Sequence, residues 1–379
     1  MNILGTLGGQ TPLYQRIATP RDTVDNFLYY GADNSYPQMV KAVLNLSSLS
    51  TSSVNLIANF IRGDGFERGD TIVNDLGESA NDILWSISND QAIYNGYALH
   101  LNSNGLGSVK SIEHIPFEFV RLGLPDQKGR IRDVRVSNNW ESTNSQALPN
   151  NVENPTRYLI YNAEQNGVEA LTTAKGMVYY STPKKNEYPL SSIDPIIETA
   201  QSDNELQKFE LGNITNGFLS MSIFKYPSSG DSEEQEEAIR AKLNGLKGAA
   251  NSNSIIVVGV DDDSENTSNL IEQVPANNND SLFTNTLSSV RKRIVTNFAV
   301  PSGLMGLLPE GSIFSAQQLA DEYTYMNLRT KDTRNHIERQ MEKLGLDVGR
   351  IVPNQFASSQ MAENGVTTWQ TFTRQKRPF

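Results

Sequence analysis

Few residues in this sequence have the types and spacing to hold a metal ion or a phosphate. Asp261, Asp263, Glu265, Asn269 and Glu272 occupy positions 1, 3, 5, 9 and 12 of a calcium-binding loop. Position 6, however, is Asn266 where a glycine makes the sharp turn, and the flanking segments read as strands. A charged hairpin loop without metal is the expectation. His100, His114 and His336 are too far apart in sequence to share metal-ligand spacing, and each reads as a strand or surface residue. No phosphate-binding P-loop, dinucleotide glycine fingerprint or Gly-x-Ser-x-Gly elbow is present. The absence of cysteine removes disulfides, thiolate metal sites and thiol nucleophiles together, and fits assembly in a reducing compartment. No catalytic constellation is left, so neither enzymatic activity nor a cofactor is expected.

What remains is charge. Arg291, Lys292 and Arg293 form the sharpest cationic feature, placed near the end of a predicted helix where the dipole favours them. They are equally suited to weak contacts with nucleic-acid phosphates or to ion pairs between subunits. Glu233, Glu234, Glu236 and Glu237 cluster on another predicted helix, either as a solvated face or as a charged docking surface. The 379 residues carry a net charge of −11, which argues against a surface that clamps nucleic acid all over but leaves room for a channel whose wall repels phosphate. Length and a 37% hydrophobic content suffice for one large or two to three modest domains. No apolar run approaches the roughly 18 residues that span a bilayer.

The elements that must position these charges read most clearly between residues 279 and 345. A helix starting at Asp280 places Phe283, Leu287, Val290, Ile294 and Phe298 on one face, and Pro301 stops it. Residues 301–314 hold three glycines, two prolines and six apolar side chains, so no period survives and an apolar loop is expected. From Ser315, which forms a capping box with Gln318, a second helix runs to Gly345 with Leu319, Tyr323, Met326, Thr330, Ile337, Met341 and Leu344 along one stripe. At roughly 30 residues it would be about 45 Å long, enough for a spine.

Upstream, residues 1–30 read as a loop-like arm. Met39, Val43, Leu46, Val54, Ile57, Ala58 and Ile61 suggest helical turns ending at Gly63, and a further helix is expected over 76–93. Alternation at Tyr97, Leu99 and Leu101, at Val109 and Ile112, and over 131–136, 157–161 and 177–180 predicts strands, with 138–155 as a surface insertion. A polar helix follows, with Ser192 as its N-cap, Pro195 in its first turn and a thin apolar face of Ile193, Ile197, Ala200, Phe209 and Leu211. Residues 217–278 then read as a small α/β unit.

In this order the segments resemble the portal proteins of tailed bacteriophages. The residues that carry the resemblance are Phe298-Ala299-Val300-Pro301 followed by Leu304-Met305-Gly306, the entry Asp33-Asn34 before Tyr36-Pro37, the run Phe60-Ile61 before Gly63, Gly65 and Phe66, and Asn95-Gly96-Tyr97-Ala98. Each motif is loose alone; together they follow the family's order over residues 28–345.

The resemblance implies an α+β portal fold. Its parts would be an N-terminal arm (1–30), an α/β wing (31–189), a first stem helix (190–216), a small α/β clip (217–278) and a second stem helix (279–300). A tunnel loop (301–314), a long spine helix of the wing (315–345) and a reduced crown or unstructured tail (346–379) would complete it. It also implies a structural role without catalysis: a homo-oligomeric ring, a dodecamer, at the portal vertex of the virion, assembled in the host cytoplasm. Double-stranded DNA would pass non-specifically, with terminase, major capsid protein and head-tail adaptor as partners and no membrane. Gly303, Leu304, Met305, Leu307, Leu308, Glu310, Ile313 and Phe314 would then line the tunnel loop, Arg291, Lys292 and Arg293 would meet DNA phosphates, and Glu233, Glu234, Glu236 and Glu237 would dock partners. The rivals are a head-to-tail adaptor ring, against which the long N-terminal half argues, and an α+β ligand-binding protein or enzyme, which would need the missing constellation.

Overall fold

The computed structural model describes residues 27–31, 34–103, 108–140, 155–161, 176–184, 187–215, 221–227, 254–260, 271–274, 280–307 and 315–356. The chain divides into two compact units, one formed by Met1–Ile197 with Val295–Phe379 and the other by Glu198–Ile294. The first is therefore discontinuous in sequence, with the second inserted into it.

In the first unit, α1 (Tyr36–Leu46) and α2 (Ser48–Arg62) are separated by Ser47 in extended conformation, whose Oγ accepts the Ser50 N–H at 3.2 Å and caps α2. This break resets the helical phase. Tyr36, Val40, Val43 and Leu44 are buried on α1, whereas the expected Met39 and Leu46 are half-buried and exposed. On α2 the expected stripe of Val54, Ile57, Ala58 and Ile61 is buried. Helix α3 (Ala80–Tyr94) starts later than its apolar pattern suggested, at a capping box of Ser79 and Asp82. Leu76 lies outside it, in a turn organised by Asn74 Oδ1, which accepts the N–H groups of Leu76 and Glu78 at 3.1 Å each.

The sheet comprises β1 (Tyr97–Ser103), β2 (Val109–Ile115), β3 (Val120–Leu122), β4 (Asp133–Val136), β5 (Thr156–Ile160) and β6 (Met177–Ser181) in the order β2-β1-β6-β5-β4-β3. Only β5 and β6 pair in parallel. Leu99, Leu101, Ile112, Leu122, Val134 and Val178 fill the core.

Arg121 on β3 is fully buried. Its guanidinium donates to Glu118 O, Val120 O and Asn34 O at 2.8, 2.9 and 2.8 Å and lies 4.9 Å from the centroid of the Trp140 ring. Burial lowers its pKa to about 10, so it stays charged at neutral pH. Trp140 also donates to Phe119 O at 3.1 Å, so the predicted surface insertion is anchored at its start. Of the predicted arm, Phe27 and Leu28 pack on the β3 edge, with Leu28 N–H donating to Leu122 O at 2.7 Å.

The second unit holds most of α4 (Ile197–Thr215) and of α5 (Asp280–Phe298), with β7 (Met221–Pro227), β8 (Ser254–Val260) and β9 (Ile271–Val274). Their order is β8-β7-β9, with β7 parallel to β8 and antiparallel to β9. The parallel pair requires a crossover connection, and the chain supplies 26 residues, 228–253, between the two strands.

Helix α6 (Ala316–Lys343) is the predicted spine, about 42 Å long at 28 residues. Its capping box is formed as read, with Ser315 Oγ accepting Gln318 N–H and Gln318 Oε1 accepting Ser315 N–H at 3.1 Å each. Met326, Thr330, Ile337 and Met341 are buried, and so is Arg334 in the middle of the stripe. Arg334 donates to Phe60 O at 2.7 Å, Thr330 Oγ1 at 2.6 Å and Asn327 O at 2.8 Å. Phe60 O is in the last turn of α2, where carbonyls have no helical partner, so Arg334 caps α2 from the other end of the chain.

Beyond Gly345, residues 347–352 run along 63–68. Asp64 N–H donates to Val352 O and Val352 N–H to Gly65 O, both at 2.8 Å, and Arg68 N–H donates to Val348 O at 2.9 Å. Gly63 sits at φ +58°, and a Cβ there would lie 2.0 Å from Val352 O, so only glycine fits.

Helix α5 ends by the same backbone device as α6. Val300 N–H reaches back to Val295 O at 3.2 Å and Ala299 N–H to Thr296 O at 3.1 Å, just as Leu346 bonds Met341 O and Gly345 bonds Glu342 O. The left-handed residue is Gly345 at φ +82° in α6 but Ala299 at φ +46° in α5. An alanine in that region carries steric strain that glycine lacks. Relieving the roughly 1–2 kcal/mol left-handed cost outweighs the roughly 0.5–1 kcal/mol of chain entropy that glycine adds, so Ala299→Gly should raise the denaturant midpoint by about 0.5–1 kcal/mol of stability; a lowered midpoint would mean the turn is not strained.

Candidate functional site

The chain leaves the first unit after Ile197 and returns at Val295, and these two points are tied together. Asn297 Nδ2 donates to Ser192 O at 2.9 Å. The root of α4 is held further by Tyr36, whose Oη donates to Asp194 Oδ1 and accepts the Ser191 N–H, each at 3.0 Å. This gives Asn34 and Tyr36 of the expected entry motif a physical meaning; Asp33 lies outside the described residues. Asn34 takes a left-handed φ of +65°, and its Oδ1 accepts the Tyr30 N–H at 3.1 Å, which turns Tyr36 toward the root. Tyr30 stacks between Tyr36 and Tyr188, with ring centroids 4.9 and 4.1 Å away.

The expected N-cap Ser192 does not cap. Its Oγ donates to Ala92 O at 2.9 Å, and the helix instead grows out of a 3-10 turn over Asp194–Ile196. Of the expected thin face, Ile193 and Ala200 are buried and Ile197 is half-buried, while Ile196, not expected there, is buried, and Phe209 and Leu211 are 53% and 63% exposed. On α5, Val290, Ile294, Val295 and Phe298 are buried, and Leu287 is half-buried.

Arg291, Lys292 and Arg293 are all exposed on α5. Neighbouring residues on a helix point about 100° apart, so the three cations fan around it instead of forming one patch. They also precede the last turn, which contains no basic residue, and so gain little from the helix dipole. Glu233, Glu234, Glu236 and Glu237 lie outside the described residues. So do Asp261, Asp263, Glu265 and Asn269; the backbone of Glu272 belongs to β9.

Of the predicted apolar loop, residues 301–307 are described, while Leu308, Glu310, Ile313 and Phe314 lie outside. The described limb is a folded turn. Met305 and Leu307 N–H donate to Ser302 O at 3.2 and 2.9 Å, Gly306 N–H donates to Gly303 O at 3.1 Å, and Gly306 sits at φ +69°. Gly303, Leu304, Met305 and Leu307 are half-buried. Gly303 N–H donates to Glu322 Oε1 on α6 at 3.2 Å, a contact that sequence reading did not anticipate.

Two of the three histidines are strand residues, as expected, and they lie on paired neighbouring strands at adjacent register positions, whereas His336 is on a helix. His100 lies on β1, His114 on β2 with Nε2 2.7 Å from Asp90 Oδ2, and His336 on α6 with Nε2 3.1 Å from Ser181 Oγ. Among the described residues, no group of three or more His, Asp or Glu side chains is placed to hold a metal ion, and no helix is long and apolar enough to cross a membrane.

No family model matches the chain, and no curated protein matches its sequence. Solved structures do. A chain from the neck of a native gene transfer agent particle, computed with C12 symmetry, matches with a TM-score of 0.53 and 12% identity, over 86% of this chain and 87% of that one. A chain from the virion of the native particle gives a TM-score of 0.51 at 12% identity, covering 86% of each. A HK97 family phage portal protein from Corynebacterium diphtheriae gives 0.46 at 11% identity, over 79% of this chain and 88% of its own. At these identities the likeness to the two gene transfer agent chains is one of fold.

His336 supplies a pH test of the α6 to β6 contact. Burial, and then the positive charges of Arg339 and Lys343, lower its pKa below the ordinary 6.5. The unfolded chain then takes up a proton that the folded chain resists, so this group costs stability as pH falls through 6.5. His336→Asn should shrink the loss of denaturant midpoint between about pH 7.5 and about pH 5.5 relative to the parent; an unchanged loss would remove His336 from the account.

Proposed function

We propose that this chain is a portal protein, a structural ring subunit at one vertex of a phage-like particle through which double-stranded DNA enters and leaves. The observation that carries the reading is the pair α4 and α5, rooted together at Ser192 and Asn297, with polar and partly apolar surface exposed along their length. A helix bearing Phe209 and Leu211 in solvent is a poor end state for a monomer, and neighbouring copies in a ring would cover that surface. The fold likeness to a neck chain from a C12-symmetric reconstruction supports a ring of about twelve.

In this reading α4 and α5 are the stem helices, β7, β8 and β9 belong to the clip, α6 is the spine, and the 301–314 loop faces the channel. Leu304, Met305, Leu307, Leu308, Ile313 and Phe314 would give the constriction an apolar lining with Gly303 and Glu310, so that DNA slides without strong binding. Arg291, Lys292 and Arg293 fan outward, so at most one or two could face phosphate in any subunit, which suits weak, sequence-independent contact. Glu233, Glu234, Glu236 and Glu237 fall in the clip and would meet terminase and then the head-tail adaptor; the wing would meet the major capsid protein. The chain carries no P-loop, so the energy for translocation comes from the packaging partner.

Negative-stain micrographs of the purified protein should show rings with a central hole; a compact monomer overturns the proposal. Removing residues 303–311 should leave the rings intact while DNA packaging or retention fails. Loss of rings on that deletion would instead assign the loop to assembly.

A further inference from the structure

The described limb of the loop is internally complete. Its turn closes on Ser302 O and Gly303 O, and Gly306 supplies the left-handed residue that ends it. A turn closed on itself has a fixed shape but no fixed direction. Among the described residues one side chain outside the turn bonds to it: Glu322 of α6, whose Oε1 accepts the Gly303 N–H at 3.2 Å. The acceptor is a carboxylate oxygen and the donor is the backbone amide of the turn's second residue.

The second oxygen of that carboxylate makes the arrangement unusual. Glu322 Oε2 is buried and has no hydrogen-bond partner among the described residues. Glu322 is half-buried, and a buried oxygen without a partner costs stability that a glutamate on the solvent side of α6 would not lose. The bond to Gly303 is the compensation visible for placing the charge there. Leu304, Met305 and Leu307 follow directly and are half-buried, so whatever orients Gly303 orients them.

We propose that Glu322 is a positioning residue that latches the near limb of the loop to the spine helix and sets the direction in which Leu304, Met305 and Leu307 are presented. Its role in DNA passage rests on the channel reading above, but the latch itself does not.

The test separates the two. Amide hydrogen exchange of the full chain, read by mass spectrometry on the peptide containing Gly303, compares the parent with Glu322→Ala and Glu322→Gln. Glu322→Ala should speed exchange at that site by at least about tenfold, while Glu322→Gln keeps the acceptor oxygen and most of the protection. Unchanged exchange in Glu322→Ala, with the chain otherwise as protected as the parent, overturns the latch. DNA retention in assembled particles tests the role: loss with Glu322→Ala and rescue with Glu322→Gln support it. Faster exchange with full retention overturns the positioning role in the channel and leaves the latch standing as a structural bond.

Discussion

The structure depends on closing a body whose sequence is interrupted. The first unit is assembled from two stretches separated by residues 198–294, and it holds together only because its C-terminal stretch satisfies groups that its N-terminal stretch leaves open. Arg334 fills the orphan carbonyl of Phe60, residues 347–352 pair along 63–68, and Asn297 ties the returning chain to Ser192. The buried one among these, Phe60 O, would otherwise lack a partner, and leaving such a group unpaired costs more than a typical hydrogen bond gains. The inserted unit therefore starts and ends at neighbouring points, the arrangement under which an insertion is tolerated.

That closure makes the bend after α5 a defined structure. The two helix ends, and the turn between them, use one backbone device, in which the residue past the last turn goes left-handed and two N–H groups fold back onto earlier carbonyls. The device fixes where the chain points over Phe298 to Leu307 without a large core. Pro301 adds a barrier to continuing the helix, but the stop is already made at Ala299. The strain stored at Ala299 lies at the start of this short segment, and Glu322 of α6, with one oxygen unpaired, bonds its middle at Gly303.

Helices α4 and α5 invert the usual logic of a globular protein. Burial is concentrated at their roots, and exposed apolar residues lie farther out on α4. A helix with so thin an apolar stripe gains little from packing within one chain. The three consecutive cations on α5 point in different directions because successive residues on a helix are about 100° apart, so they form no single basic patch.

By itself the sequence determined what short-range rules determine. The capping box at Ser315 and Gln318, the stripe of Met326, Ile337 and Met341, the strands around Leu99 and Leu101, and the stop before Pro301 follow from period and cap chemistry within a few residues. The order of segments was enough to suggest the portal resemblance. Only the tertiary structure decided what the polar residues do. Arg334 looks like a charge interrupting an apolar stripe until Phe60, 274 positions away, is placed against it. Ser192 looks like a cap until Ala92 O takes its hydroxyl, and Glu322 looks like a surface acid until Gly303 turns back to it. A backbone carbonyl or amide that needs a partner leaves no mark in the local sequence, because any residue type carries one; which side chain answers it is settled when distant segments meet.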